Sequence, residues 1–339
     1  MRKSKLLLVL LIGMLVVFQS CEKKGVIENN EELQAEKLTI ADMPEIEVKN
    51  GMLSFDSKED FFKTISIIPN MTDEELDAWE NKLGFISVRK KQNEFYQKLE
   101  SYNTETVTED DIQNLVNEYS DYFEIVQDEN GEDEVSYIID NPIYASIANS
   151  SLMYQTSDTV NKVLKNRILM TNISHISDLN KPKNNKNISE FTYTNTYNKS
   201  SSQEKNADYI RNESGCNRDR KVKIKMKTYM YAYNPGYGGV YQYVWDVSVL
   251  VRGYRRYGCG AWINYKDPLD YKNVHGVIYV EYDTESFSIP AKSLYGRKLY
   301  GHKSFTRNSG QGYYGFKKAH GEASSRGVGN NWAIINYGY

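Results

Sequence analysis

The sequence predicts an α+β protein: an N-terminal mainly helical region, then a C-terminal antiparallel β-sandwich or small barrel. Three observations predict it. Helix-capping signals and 3.6-residue apolar spacing recur from residue 56 to about 119, two-residue alternation dominates from residue 222 onward, and net charge changes sign between the two stretches. Glu22 to Asp158 carries 32 acidic and 11 basic residues, net −21, whereas Arg211 to Tyr339 carries 20 basic and 9 acidic residues, net +11. The whole 339-residue chain is only −3, so the overall charge hides this division. Tyrosine follows the basic part, with 18 of 28 falling between Tyr229 and Tyr339. At 40% hydrophobic and 26% charged residues, the chain holds enough apolar material for one or two packed domains, which excludes wholesale disorder, collagen and coiled-coil arrays. A polytopic membrane protein is excluded too, because the one long apolar stretch lies at the extreme N-terminus.

Residues 53–178 form the acidic helical α+β region. Asp56-x-x-Glu59 reads as a capping box ahead of Phe61, Phe62 and Ile65. Thr72-x-x-Glu75 is a stronger one, followed by Leu76, Trp79 and Leu83 at helical spacing, with Gly84 as the stop and Phe85 free to fold back. Phe95, Leu99 and Tyr102 mark a third helix. Thr108 to Asp111 opens a fourth, with Ile112, Leu115, Val116 and Tyr119 on one face. Asn130-Gly131 is a hairpin-turn dipeptide, Pro142–Ala148 a short helix, and Leu152–Tyr154 and Val160–Leu169 are strand-like. Residues 179–210 are rich in Asn, Lys, Ser and Thr and read as a polar linker or long loop.

The basic, Tyr-rich β domain spans 211–339. In Val222–Tyr233 the even positions are mostly apolar, while the odd ones run Lys223, Lys225, Lys227, Tyr229, Tyr231, Tyr233. Tyr241, Tyr243, Trp245, Val247, Val249 and Val251 then alternate with Gln242, Asp246, Ser248 and Arg252. Further strands are expected at Ala261–Tyr265, Val274–Tyr282, Ser286–Pro290 and Trp332–Tyr337.

The N-terminus has its own pattern. A cationic Met1–Lys5 precedes thirteen uncharged residues, Leu6 to Phe18, which suits a signal-peptide core and is short for a bilayer span. Phe18-Gln19-Ser20-Cys21 then resembles the lipobox of bacterial lipoproteins, with a small residue directly before Cys21. The family more often has Leu at the place of Phe18 and Ala or Ser at that of Gln19; an ordinary secretory signal cut near Ser20 is the alternative. The resemblance implies a signal peptide over 1–20, an acylated Cys21, and a membrane partner reached through that lipid, since two or more acyl chains anchor stably. Residues 21–52 would then be acylated cysteine and flexible tether, with a reach on the order of 30 Å. The implied location is a lipid anchor in the outer membrane of the cell envelope, facing either the periplasm or the outside.

Cys216 and Cys259 remain as an even pair, read as a disulfide in an exported protein, with a nucleophilic Cys259 as the rival. No metalloprotease, nucleophile-elbow, phosphate-loop, dinucleotide or Ca²⁺-loop motif is present, and four His with three Cys leave little for a multi-ligand zinc site, so neither cofactor nor metal is expected. The candidate binding face is Lys223, Lys225 and Lys227 beside Tyr229, Tyr231 and Tyr233, with Arg252, Arg255 and Arg256 on the next strand. Cations beside flat aromatic surfaces suit an acidic glycan, lipopolysaccharide phosphates or an envelope protein, whereas an exported location disfavours nucleic acid. The same face could instead dock on the acidic region of its own chain. A glycan- or peptide-hydrolase using Asp246, Glu281 or Asp283 is the rival from another class, and His302 and His320 flank a Gly-rich basic stretch as surface residues. Asp158-Thr159-Val160 resembles the O-glycosylation sequon of exported Bacteroidetes proteins, which implies a glycan on Thr159. The order of parts — lipobox, the helical Glu75–Ser87 stretch, and a Cys-led β region — resembles a group of uncharacterised Bacteroidetes outer-membrane lipoproteins carrying a domain of unknown function. It implies location and architecture, and no catalytic residue.

Overall fold

The computed structural model describes residues 39–339 except 104–105, 166, 183–184, 193–203, 213–218, 234–241, 258–259, 282, 308–312 and 330; the described residues belong to one compact unit, Leu38–Tyr339. Cys21, Cys216 and Cys259 therefore lie outside the described residues.

The class is α+β. After a hairpin of β1 (Glu47–Lys49) and β2 (Met52–Phe55), the chain forms α1 (Lys58–Ile67), α2 (Asp73–Leu83), α3 (Val88–Glu100) and α4 (Glu109–Glu118). Local chemistry starts each of these four helices. Ser57, rather than Asp56, caps α1, its hydroxyl accepting from the Asp60 N–H at 3.0 Å, while Asp56 pairs with Lys49. Thr72 and Glu75 satisfy each other's backbone N–H groups at α2, and Gly84 ends it at φ +63°, in the left-handed region glycine tolerates. Ser87 caps α3, and Thr108 with Asp111 repeats the reciprocal cap at α4.

The hairpin of β3 (Phe123–Gln127) and β4 (Asp133–Tyr137) turns where Asn130-Gly131 predicts, with Gly131 at φ +76°. Next come α5 (Pro142–Ile147), β5 (Met153–Thr156), β6 (Thr159–Val163), β7 (Arg167–Asn172), β8 (Ser189–Thr192) and β9 (Glu204–Arg211). The long strands follow: β10 (Arg220–Tyr233), β11 (Gln242–Arg256), β12 (Trp262–Asn264), β13 (Asp267–Glu281), β14 (Asp283–Ile289), β15 (Lys292–Gly296), β16 (Lys298–Arg307), β17 (Tyr313–Ser325) and β18 (Ala333–Tyr337).

Among the described residues these strands make three sheets. β1-β2-β5-β6-β7-β8 form one, antiparallel except for the β2–β5 pair. A second runs β3-β4-β12-β11-β10-β9, with β16 also on β11. The third is β14-β13-β17-β18, with β15 also on β13. The second and third sheets share one apolar core, to which Val222, Ile224 and Met226 of β10 contribute from one side and Val274, Ile278, Phe316 and Ile335 from the other. The opposite face of β10 carries Tyr229, Tyr231 and Tyr233 into a different core, built with Phe55, Phe61, Trp79, Ile143 and Tyr144. α3, α4 and the β3–β4 hairpin enclose a third core around Phe95, Leu115 and Phe123.

Three expectations change. The N-terminal region is helical only in part, because β2, β5, β6 and β7 build a sheet among its helices. The tether does not extend to residue 52: Ile46 and Met52 are buried, and β1 is paired by then. The polar 179–210 stretch ends in β9, which pairs with β10 from Glu204↔Lys227 to Arg211↔Arg220. Its odd-even pattern is weak because β9 covers the sheet edge with half-buried residues on both faces.

β15, β16 and β17 have no counterpart among the expected strands. Several core positions of β16 and β17 are small, Gly301, Ala319, Gly321 and Ala323, beside the larger Leu299 and Phe316. A Cβ on Gly276 would sit 2.2 Å from the Lys318 carbonyl oxygen, and one on Gly301 2.0 Å from the Tyr271 hydroxyl. Close approach of backbones at these small positions breaks the apolar alternation of β16 and β17, and β15 buries none of its residues.

Gly276→Ala should therefore lower the unfolding free energy by about 1–3 kcal/mol, read as a lower urea midpoint at unchanged slope; an unchanged midpoint contradicts the close approach. Arg89 is buried against Glu80 at 3.0 Å, with Asp77 and Asp73 also on its guanidinium. Arg89→Met should cost about 3–5 kcal/mol by stranding the buried Glu80 carboxylate, and a loss below about 1 kcal/mol in the same titration would show the pair to be dispensable.

Candidate functional site

The alternation along β10 puts every odd-numbered side chain from Lys221 to Tyr233 on the face opposite the sheet-to-sheet core. There they meet the acidic N-terminal region. The Lys221 ammonium is fully enclosed, 3.0 Å from Asp128 and 2.8 Å from Glu134, with the rings of Tyr254 and Trp262 about it. Lys223 lies 3.3 Å from Glu134; Lys225 bridges Asp140 and Glu204, each at 3.1 Å; Lys227 lies 3.5 Å from Glu204. The tyrosines continue the ladder with hydroxyl contacts: Tyr229 donates to Asp140 at 3.1 Å, Tyr231 accepts from the Asn141 amide at 2.8 Å, and Tyr233 donates to the Asp56 carbonyl at 3.1 Å.

This corrects the expected binding face. Tyr229, Tyr231 and Tyr233 are buried, so they are core and interface residues and present no open aromatic surface. Arg252 is buried over the Tyr137 ring at 4.3 Å, with one amino group 3.4 Å from the Asp140 carbonyl. Arg256 pairs with Glu132 and stacks on Trp262, and Arg255 stacks on Tyr257. Most of these cations answer carboxylates of the acidic region, while Lys227 pairs with Glu204 of β9 and Arg255 stacks on Tyr257.

The ladder is not sealed along its length. Between β3–β4 and β10–β11 lies a cleft of about 380 Å³. Lys223, Lys225, Lys227 and Arg252 line it from β10 and β11, with Glu204 beside them on β9; Asp128, Glu134 and Asp140 line it from the hairpin and the segment after it, and Leu250, Tyr137 and Tyr254 supply apolar floor. The charges polarise each other. Burial pushes Glu134 and Asp140 up, but Lys221 and Lys223 at the first and Lys225, Lys227 and Arg252 at the second outweigh it, so both stay below the usual carboxylate range. Burial pulls Lys225 down, and Asp140 with Glu204 more than restores it. Glu134, Asp140 and Lys225 are therefore charged at neutral pH. The Arg252 Nε is buried without a hydrogen-bond partner among the described residues.

The proposed carboxylate catalysts do not converge. Asp246 is buried on the seven-stranded sheet, accepting from the Tyr300 hydroxyl at 3.1 Å and bonded to His302 Nδ1 at 3.2 Å, with Ser304 at 3.4 Å. Burial raises it, an effect those three partners only partly offset. Asp283 is exposed on the five-stranded sheet, at the start of β14 across from Val280 of β13. Glu281 ends β13, and its side chain lies outside the described residues. Thr159 is buried at the start of β6, so the folded chain does not present that sequon to an enzyme. His302 is a partner of Asp246 rather than a free surface residue.

Sequence reasoning missed Lys221, Glu134, Asp140 and Glu204. The two-residue alternation already extended back to Lys221; the carboxylates carried no pattern, because only long-range pairing selects them from an acidic region. Among the described residues no group of three or more His, Cys, Asp or Glu could hold a metal ion, and no helix is long and apolar enough to cross a membrane.

No family model matches the chain, and no curated protein matches it. Among solved structures the chain is similar to a DUF4848 family protein from Bacteroides thetaiotaomicron, with 14% sequence identity and a TM-score of 0.30 over 86% of this chain and 100% of that one.

Proposed function

We propose that this chain is a non-catalytic binding module, anchored to the outer membrane of a bacterial envelope through acylated Cys21, which holds an acidic saccharide in the cleft between the β3–β4 hairpin and β10–β11. The cleft is the observation that supports this reading. It combines partly exposed ammonium groups of Lys223 and Lys225, the orphaned Arg252 Nε and the rings of Tyr137 and Tyr254 in one cavity. Sugar carboxylates or phosphates pair with the first two groups, hydroxyls bridge to Glu204 and Asp140, and pyranose faces lie on apolar floor. On this reading the two facing sheets act as a β-sandwich that holds β10 rigid, and a Cys216–Cys259 disulfide ties the start of β10 to the end of β11.

Binding is tested with the full chain and defined uronic-acid oligosaccharides, with lipopolysaccharide as a second probe. Lys223→Gln and Lys225→Gln should each weaken binding at least tenfold while the exposed Lys303→Gln leaves it unchanged. No saturable binding to either probe, or equal affinity in all three variants, overturns the ligand assignment. The anchor is tested separately: radiolabelled palmitate should enter the wild type and not Cys21→Ala. Equal labelling, or equal partition of both into detergent, removes the anchor.

A further inference from the structure

The outer face of the five-stranded sheet carries two histidines directly across from each other. His275 of β13 pairs with His320 of β17, in a polar row continued by Ser288 and Asn336, and the two ring centres are 5.1 Å apart. Neighbours at 274, 276, 319 and 321 point into the core, so both imidazoles are directed outward.

Each ring has one nitrogen already committed. His275 Nδ1 lies 2.9 Å from the Asn273 carbonyl oxygen, which can only accept, so Nδ1 carries the proton and Nε2 keeps its lone pair. His320 Nε2 lies 3.4 Å from the Glu322 carboxylate, which leaves the His320 lone pair on Nδ1. Glu322 is itself held by the Asn273 amide at 2.8 Å and by Lys272 at 3.4 Å. One residue thus orients both rings. Asn273 sits at φ +54° in a bulge between Lys272 and His275, where the register of β13 on β17 shifts. The Tyr339 ring packs edge-on against both imidazoles, its centre 5.8 Å from that of His275 and 6.4 Å from that of His320.

A donor bond from the far ring nitrogen to a carbonyl or carboxylate is the arrangement that fixes tautomer and raises basicity in metal-bound histidine. Two imidazoles sharing one tetrahedral ion at Zn–N of about 2.0–2.1 Å have ring centres about 5 Å apart, as found here. We propose that His275 Nε2 and His320 Nδ1 bind one divalent ion of the Zn²⁺, Ni²⁺ and Cu²⁺ class, with solvent completing its shell and Glu322 acting as a positioning residue. The ligand type selects this class over Mg²⁺ or Ca²⁺, and the ion would clamp β13 to β17.

Titration of the full chain with Ni²⁺ alone and Zn²⁺ alone should show one saturable site that Mg²⁺ does not compete for. His275→Ala and His320→Ala should each weaken it at least tenfold, and Glu322→Gln about tenfold, while His175→Ala, on an exposed stretch, leaves it intact. Ni²⁺ should raise the thermal midpoint of the wild type and not that of the doubly substituted chain, a readout that also confirms the variant is folded. Absence of saturable binding by the wild type, or equal binding after both histidines are replaced, overturns the site.

Discussion

The enclosed Lys221 ammonium between Asp128 and Glu134 is the interaction on which the other arrangements depend. β10 has two faces that cannot exchange: methyl and thioether groups on one, ammonium groups and phenols on the other. The apolar face needs only another apolar sheet. The charged face needs carboxylates at a matching period, and the β3–β4 hairpin delivers them, set in place by the parallel Trp262↔Glu134 bridge. Removing an ammonium and two carboxylates from water costs several kcal/mol per ion, and their mutual attraction returns this only in good geometry. Such a cluster does more to select one docking register than to add net stability. A one-residue slip of β10 would turn Val222 and Ile224 toward Glu134 and the lysines into the apolar core.

The same device recurs where other elements meet. Arg89 ties α3 to α2 through Glu80 and Asp77, and Asp246 gathers Tyr300 and His302 from β16 onto β11. Tyr231 extends the polar network to Asn141, the cap of α5, so a helix start and a central strand share hydrogen-bonding partners. Where the hairpin ends, the ladder opens into the charged cleft, and a surface built for internal pairing keeps ammonium groups within reach of solvent. On the proposed reading the cleft is pre-organised for its ligand, because the residues that would hold it are already fixed by their partners.

Much of this was legible in the residues. The alternation of Val222–Tyr233 specified both faces of β10, and Thr72-x-x-Glu75 with Gly84 specified α2 from cap to stop. The charge asymmetry left docking of the two regions on each other open as one alternative and could not say which carboxylates would be used, one of which, Glu204, lies outside the acidic stretch. The missed strands β16 and β17 share one cause. Hydrophobic periodicity detects bulk, and β16 and β17 approach their neighbours through Gly301, Ala319 and Gly321, which register as neutral. The expected aromatic binding surface failed for a related reason: a tyrosine stripe on a strand looks the same whether its hydroxyls face water or Asp140, Asn141 and the Asp56 carbonyl.

The most direct measurement is a pair of unfolding titrations on charge-removed variants. Lys221→Met should lose about 3–5 kcal/mol, and adding Asp128→Asn and Glu134→Gln should recover most of that loss, because the penalty lies in the stranded carboxylates. A Lys221→Met chain as stable as wild type, or a triple variant in which the losses simply add, would contradict the role assigned to this buried cluster.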